Sequence, residues 1–187
     1  MPRVANPLVF LILLAPFLYG AWQVTLIVLG ELHELGIDPA KAIVLYTGEW
    51  AIRFIFAALA VSTVARVTGR KQILRYRRMV GLFAFFYVSL HLASYLGFLL
   101  GFRFDELFAD VVKRPYMTVG FLAWAMLLPL AATSNRAMVR RLGRRWITLH
   151  RLVYPIAVLS VLHFLWQTRA DVGRSEEHTS ELPSPDH

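Results

Sequence analysis

Three histidines lie in or beside long apolar stretches of this 187-residue chain, and their chemistry stands out. They are His91, His150 and His163. An imidazole in such a setting binds a metal, relays a proton, or forms a hydrogen bond between neighbouring helices. The chain contains no cysteine, which excludes thiolate zinc sites, iron–sulfur clusters and thiol catalysis. Any metal chemistry therefore depends on ligands other than thiolates.

The segments that carry these histidines are predicted to be membrane-spanning helices. The chain is 57% hydrophobic and 17% charged, whereas soluble domains carry about 25% charged residues. A helix that crosses a bilayer needs about 20 mostly apolar residues. Five segments qualify: residues 8–30, 43–64, 79–102, 115–135 and 152–168, the last extended by 146–149. We therefore predict an all-α, polytopic membrane helix bundle with five transmembrane helices in residues 1–170, which excludes a soluble enzyme and a disordered protein.

Basic residues in the short loops indicate the orientation of the bundle. They concentrate after the second span and after the fourth: Arg66, Arg70, Lys71, Arg75, Arg77, Arg78, Arg136, Arg140, Arg141, Arg144 and Arg145. The other two loops balance their cations with aspartate and glutamate. We expect both basic loops and the N-terminus to lie in the cytoplasm. Topology thus accounts for the net charge of +8, and nucleic-acid binding is not needed to explain it.

His91 and His163 are predicted to lie at similar depth. His91 comes 13 positions after Arg78, and His163 comes 18 positions after Arg145. At about 1.5 Å per residue, both fall in the outward half of helices that run in the same direction. Two neutral imidazoles from facing helices form an axial pair for haem iron, and an apolar bundle buries the porphyrin. Zinc lacks a third ligand at this depth, while a purely structural hydrogen-bonded pair stays an open alternative.

His150 lies nearer the cytoplasmic face and indicates a second cofactor position. On an ideal helix it would point about 140° away from His163, although Pro155 between them can change that angle. The residue at the matching level of the third span is Arg78 or Arg77, and neither is a haem ligand. The residues therefore predict one bis-histidine haem and leave a second haem open.

The last 17 residues, 171–187, break the apolar pattern. They are polar and acidic and contain two prolines, so they cannot span a bilayer. The run from Arg174 resembles a translated sequencing adapter, and we expect this tail to be non-native or disordered. We assign no functional role to its histidines, His178 and His187. We find no internal repeat and no separate soluble domain.

Several motifs occur in an order that resembles one known family. They are Arg77-Arg78-Met-Val-Gly-Leu, His91-Leu-Ala-Ser94-Tyr95, Arg114-Pro-Tyr-Met-Thr-Val-Gly120, Thr133-Ser134, Leu142-Gly-Arg-Arg-Trp146-Ile-Thr-Leu-His150-Arg-Leu-Val-Tyr154 and His163-Phe-Leu-Trp166. Over about residues 7–168, the chain resembles the MsrQ (YedZ) family of haem-binding membrane subunits. That family belongs to the ferric reductase-like transmembrane group, which includes NADPH oxidases.

The resemblance implies a b-type haem protein of the bacterial inner membrane. Such a protein passes respiratory-chain electrons, from the quinone pool or a flavin reductase, to a periplasmic molybdenum-containing methionine sulfoxide reductase, MsrP. The resemblance also implies that His91, His150 and His163 are the essential histidines, and that FMN is a cofactor, although this chain shows no FMN motif. The family normally has a sixth helix, where this chain has its polar tail, so we expect any role of that helix to be missing.

Seven further residues are candidates for the environment of a cofactor. Arg77, Arg78, Arg144 and Arg145 either pair with haem propionates or a flavin phosphate, or only follow the positive-inside bias, which we favour for most of them. Ser94, Tyr95 and Trp146 either line a cofactor pocket, or pack between helices and mark the membrane interface.

Three other functions remain as alternatives. A self-sufficient ferric or quinone reductase lacks support because the chain has no glycine-rich dinucleotide fingerprint and no soluble flavin domain. A small proton-coupled transporter would use the buried histidines as a relay, but the chain shows no inverted repeat. The third alternative is a structural membrane anchor.

Glu49 and Arg53, spaced i and i+4, either lie near a quinone or proton route or form a structural salt bridge.

Overall fold

The structure, a computed structural model, describes the main chain of residues 7–180 and the side chains of residues 7–170. Within that part the chain forms helices and connecting turns. The α-helices are α1 Pro7–Leu29, α2 Pro39–Val67, α3 Arg77–Ser94, α4 Phe104–Lys113, α5 Pro115–Ala132, α6 Arg136–Leu142, α7 Arg144–His150 and α8 Val153–Ser180. The predictions for the N-terminus and for His187 concern residues outside the described part and stay predictions. The main chain of residues 171–180, which includes His178, continues α8, and the predictions for the role of His178 and the nature of the tail are untested.

Five segments are long and apolar enough to cross a membrane. They are Pro7–Leu29, Pro39–Val67, Lys71–Leu99, Pro115–Ala132 and Arg144–Ala170. The third joins a 3₁₀-helix, Lys71–Tyr76, to α3 and a π-helical turn, Tyr95–Leu99. Many large apolar side chains on these segments are exposed, as lipid contact requires. The predicted all-α membrane bundle with five spans is confirmed.

Polar residues and prolines set the ends of the helices. The Asp38 carboxylate accepts a hydrogen bond of 3.0 Å from the Lys41 amide, and Pro39 follows as the first residue of α2. Asn135 caps α6 in the same way, at 2.8 Å from the Met138 amide. Such caps satisfy amide groups that the first turn of a helix leaves free. The short helices α4 and α6 lie between spans and were not predicted, whereas α7 forms the beginning of the fifth span.

The buried core lies among the helices that carry the histidines. Helix α2 packs mainly on α3, and α5 packs mainly on α8. The core residues are Ala51, Phe54, Ile55, Val80, Phe83, Ala84, Tyr87, Ala123, Leu127, Leu130, Ile156 and Ala157. At its centre the ring of Phe54 stacks on that of Tyr87, with 4.6 Å between centroids. The core therefore fixes α2, α3, α5 and α8 relative to one another.

Helix α1 is attached to this core at its internal proline, Pro16. The Tyr87 hydroxyl, on a side chain only 1% exposed, accepts a hydrogen bond of 2.9 Å from the Phe17 amide and donates one of 3.0 Å to the Leu13 carbonyl. The Tyr87 hydroxyl thus bridges the Phe17 amide and the Leu13 carbonyl, which would otherwise bond to each other within the helix. The Tyr46 hydroxyl donates to the Pro16 carbonyl at 2.8 Å.

We expect the substitution Tyr87→Phe to lower stability by about 1 kcal/mol, at the lower end of the range for loss of a buried hydrogen-bonding group. The loss is modest because α1 can restore its own bond between Phe17 and Leu13. Thermal unfolding in detergent, followed by circular dichroism, measures the effect. Tyr154→Phe is the matched control, since Tyr154 is 63% exposed. Equal destabilisation by both substitutions would contradict the role of the Tyr87 hydroxyl.

Candidate functional site

The structure brings His91 of α3 and His163 of α8 together. Their ring centroids lie 6.2 Å apart, and the ring planes are inclined at 70°. Two imidazoles on opposite sides of one metal ion, each bonded at about 2 Å, have centroids about 6 Å apart. The observed separation therefore fits two nitrogen ligands that share one metal.

Each of the two histidines is held through its Nδ1 atom by a main-chain carbonyl. His91 Nδ1 lies 2.9 Å from the Val44 oxygen, and His163 Nδ1 lies 2.7 Å from the Tyr116 oxygen. A carbonyl only accepts hydrogen bonds, so Nδ1 carries the proton in both rings. Nε2 is then left with its lone pair, which is the arrangement of metal-binding histidines.

A glycine lies beside each ring and makes the hydrogen bond possible. A Cβ atom on Gly120 would lie 2.7 Å from His163 Nδ1, and one on Gly48 would lie 3.0 Å from His91 Cε1. Each glycine lies four positions after the residue that provides the accepting carbonyl, Val44 or Tyr116, so it sits one helical turn further along the same face. The missing side chain therefore opens a notch in which the imidazole reaches the carbonyl of the preceding turn.

The two notches are copies of one arrangement, which corrects the expectation of no internal repeat. Each histidine lies 47 positions after its carbonyl partner, and both sets are offset by 72 positions. Buried core residues follow the same offset, Ala51 with Ala123 and Ile55 with Leu127. The pair α2 and α3 thus repeats as the pair α5 and α8, in the same direction. The matched spacing of glycine and histidine is the sequence signal that could have revealed it.

The donor set limits which metal fits. Among the described residues, no group of three or more histidine, cysteine, aspartate or glutamate side chains could hold a metal ion. The histidine pair therefore suits a metal that brings its remaining ligands with it. Haem iron does so, because the porphyrin supplies four nitrogens and leaves two axial positions.

A second site candidate is a cavity of about 860 Å³ toward the basic loops. This volume lies within the range of about 300–1,000 Å³ typical of ligand sites. The predicted residues His150, Trp146, Arg77 and Arg78 all line it. The Trp146 ring stacks on His150 with 3.9 Å between centroids. The arrangement gives the cavity an aromatic wall with one imidazole.

Further residues of the cavity were not predicted as site residues. The Thr133 hydroxyl lies 3.2 Å from His150 Nε2, and the Trp146 indole donates to the Thr133 carbonyl at 3.0 Å. The buried Ser62 Oγ, which also belongs to the lining, has no hydrogen-bond partner. Five arginines line the cavity: Arg66, Arg77, Arg78, Arg136 and Arg140. In the described part of the chain none of them forms an ion pair with a carboxylate.

This lining suits a ligand that is partly apolar and partly anionic. Apolar residues such as Ile55, Leu127 and Ile156 form its inner part. The unpaired arginines offer charge-assisted hydrogen bonds to carboxylates or phosphates. The 72-residue offset that relates His91 to His163 relates Arg78 to His150, so a cation stands where the outer site has an imidazole.

The other predicted site residues lie away from this cavity. Arg144 and Arg145 begin α7 and are not among its lining residues. Ser94 is buried at the end of α3. Tyr95 lines a smaller outer pocket of about 350 Å³. Of the candidates in the basic loops, only Arg77, Arg78, Trp146 and His150 are thus brought together.

The predicted pair of Glu49 and Arg53 forms an ion pair with 2.7 Å between the charged groups. Both side chains are about half exposed, at 51% and 53%, and the Arg53 guanidinium lies 4.9 Å from the centre of the Trp50 ring. The two charges thus neutralise each other on the surface of α2, beside the notch at Gly48.

Comparisons with known proteins agree with this geometry. Residues 47–161, which include His91 and His150 and end two positions before His163, match the family described as ferric reductase like transmembrane component. The protein-methionine-sulfoxide reductase heme-binding subunit MsrQ of Xanthomonas euvesicatoria pv. vesicatoria (strain 85-10) is 45% identical over 90% of this chain and 77% of its own length. The protein of the same name from Polaromonas naphthalenivorans (strain CJ2) is 45% identical over 87% of this chain and 72% of its own length.

A third relative, the MsrQ subunit of Xanthomonas oryzae pv. oryzae (strain MAFF 311018), is 44% identical over 90% of this chain and 78% of its own length. No solved structure matches the chain. The family match covers more than half of the chain, and the first relative aligns with 90% of it. The chain therefore belongs to the ferric reductase-like transmembrane family and, within it, to the family of MsrQ subunits.

Proposed function

We propose that this chain is a membrane electron-transfer subunit that carries b-type haem between His91 and His163. It takes electrons from the respiratory chain, through quinol or a flavin reductase, and passes them to a periplasmic molybdenum-containing methionine sulfoxide reductase of the MsrP type. The observation that carries the proposal is the histidine pair, with rings 6.2 Å apart and both Nδ1 atoms bound to carbonyls. The names of the relatives support haem and the methionine sulfoxide reductase system.

Haem supplies a one-electron carrier within the bilayer, which divides about 30 Å of hydrocarbon into shorter electron transfers. His91 and His163 would hold the haem iron through their Nε2 atoms, which would favour electron transfer over oxygen chemistry. The carbonyls of Val44 and Tyr116 hold the two rings in one tautomer and increase the basicity of Nε2. The buried core around Phe54 and Tyr87 keeps water away from this side of the site.

The inner cavity would hold a second, anionic cofactor on the way from the electron donor. A second haem or FMN fits its chemistry, because both join a flat aromatic system to carboxylates or a phosphate. Trp146 and His150 would contact the ring system, and Arg77 and Arg78 would bind the anionic groups. Arg66, Arg136 and Arg140 extend the same basic rim.

The proposal places the chain in the bacterial inner membrane with the N-terminus in the cytoplasm. The arginines of the cavity rim then face the cytoplasm, in agreement with the positive-inside rule. The histidine pair lies toward the periplasm, where the partner reductase accepts electrons. Electrons thus enter near His150 and leave near His163.

His91→Ala or His163→Ala should each remove most of the bound haem, because each variant would hold the iron through one imidazole instead of two. An optical spectrum of the detergent-purified protein, oxidised and then reduced with dithionite, measures sharp low-spin b-type bands. His33→Ala is the matched control, since His33 lies in the loop between α1 and α2. Full haem content in either axial variant, or no haem in the unsubstituted protein, would refute the ligand assignment.

Electron delivery is tested with the partner reductase and methionine sulfoxide. The dithionite-reduced haem should reoxidise rapidly only when both are present, because without oxygen the reductase and its substrate together supply the terminal electron acceptor. Absorbance of the reduced band, followed in a stopped-flow instrument without oxygen, gives the rate. Reoxidation at the same rate without the reductase would instead favour self-sufficient reduction.

His150→Ala and Arg78→Gln should deplete a second cofactor while the outer haem stays bound. Both residues line the inner cavity and neither contacts the His91 and His163 pair, so the low-spin bands of the outer haem persist. Haem and flavin per protein are measured after denaturation. If the second cofactor is haem, total haem should fall by about half or less; if it is FMN, only flavin should be lost. Arg144→Gln, outside the cavity lining, is the control. Total haem loss in His150→Ala would contradict separate sites.

A further inference from the structure

A network of side chains at the outer end of the bundle leads to the carbonyl that holds His163. The Tyr95 hydroxyl donates a short hydrogen bond to Asp110 Oδ2. The other carboxylate oxygen of Asp110 lies 3.1 Å from Arg114 Nε, and an Arg114 terminal nitrogen donates to the Tyr116 hydroxyl at 3.2 Å. Tyr116 provides the carbonyl that accepts from His163 Nδ1. The network therefore connects α4 with the imidazole.

The network joins three elements that meet at the start of α5. Tyr95 begins the π-helical turn of the third span, Asp110 belongs to the last turn of α4, and Arg114 is the cap residue of α5. The Thr118 hydroxyl adds a hydrogen bond of 2.5 Å to the Val111 carbonyl and so ties α5 to α4 a second time. The first turn of α5, including the Tyr116 carbonyl, is thus held from outside.

The charges of the network are matched. The hydrogen bond with the Tyr116 hydroxyl raises the pKa of the Arg114 guanidinium above its ordinary value, and the group remains a cation. The Asp110 side chain is only 17% exposed, so its ion pair with Arg114 is screened less than a surface pair. Arginine suits this place because its planar fork contacts Asp110 and Tyr116 at the same time.

We propose that Tyr95, Asp110 and Arg114 form an outer clamp that positions the Tyr116 carbonyl and thereby sets how strongly His163 donates electrons to a bound haem iron. This inference rests on the proposed function, in which His163 is an axial ligand. The three residues are positioning residues, because they act through Tyr116. A hydrogen bond from Nδ1–H to a well-placed carbonyl makes Nε2 a stronger donor and stabilises the ferric state.

Two substitutions should loosen the clamp and raise the haem potential. Asp110→Asn removes the ion pair, and Arg114→Lys keeps the positive charge but loses the fork that spans Asp110 and Tyr116. In both variants we expect a shift of the midpoint potential to more positive values and a change of the low-spin g-values, with haem content maintained. Optical redox titration and electron paramagnetic resonance of the haem-loaded protein measure these effects.

Glu106→Gln is the matched control, because it removes a carboxylate from the same helix without touching the network. In the described part of the chain, Glu106 pairs with Arg103, whereas Arg114 pairs with Asp110. A shift of the same size in Glu106→Gln and Asp110→Asn would overturn the clamp in favour of a simple charge effect. Unchanged potential and g-values in both Asp110→Asn and Arg114→Lys would also overturn it.

The proposed function fails separately, through the axial variants and not through the clamp. If His163→Ala keeps its low-spin haem, His163 is not a ligand and the electron-transfer site is misplaced. If His163→Ala loses the haem while the clamp variants keep an unshifted potential, only the clamp is wrong.

Discussion

Two neutral imidazoles in an apolar bundle must find hydrogen-bond acceptors, and this constraint shapes the outer half of the molecule. A buried polar group without a partner costs about 1–3 kcal/mol. Here the partners are main-chain carbonyls of the neighbouring spans, Val44 and Tyr116, and each is reached through a glycine notch. The same contacts that satisfy Nδ1 leave Nε2 available as a ligand. The two hydrogen bonds from Nδ1 therefore both stabilise the fold and prepare the rings for metal binding.

The inner half of the bundle is built around a basic cavity. Its cavity combines apolar walls with five arginines that have no carboxylate partner in the described part of the chain. At the level where the repeat would place a second imidazole opposite His150, it places Arg78. One half of the bundle thus presents a symmetric pair of nitrogen ligands, and the other presents one imidazole opposite a cation. The two ends are suited to cofactors held in different ways.

Much of the bundle could be predicted because membrane spans depend on local composition. Long apolar runs and basic loops predicted five spans, and counting residues from the loops predicted that His91 and His163 lie at one level. The rings meet because helices running in the same direction keep the rise of about 1.5 Å per residue. The stacking of Trp146 on His150 follows from their i and i+4 spacing.

What could not be predicted depends on contacts between distant parts of the chain. Arg66, Arg136 and Arg140 are interpreted from sequence as topology signals, and only the folded structure shows that they line one cavity. Tyr95 was expected near a cofactor, yet its hydroxyl binds Asp110 on α4, a helix that no apolar run indicates. Hydrogen bonds across more than a few residues leave no periodic trace in the sequence.

The glycine notch has a consequence for recognising such sites in other chains. Gly48 precedes His91 by 43 positions, and Gly120 precedes His163 by the same number. A Cβ atom would overlap the ring at Gly120 and would press against it at Gly48. Both spacings are therefore sterically restricted. A twice-occurring glycine-to-histidine interval inside apolar segments is therefore a searchable signature, even where overall similarity has faded.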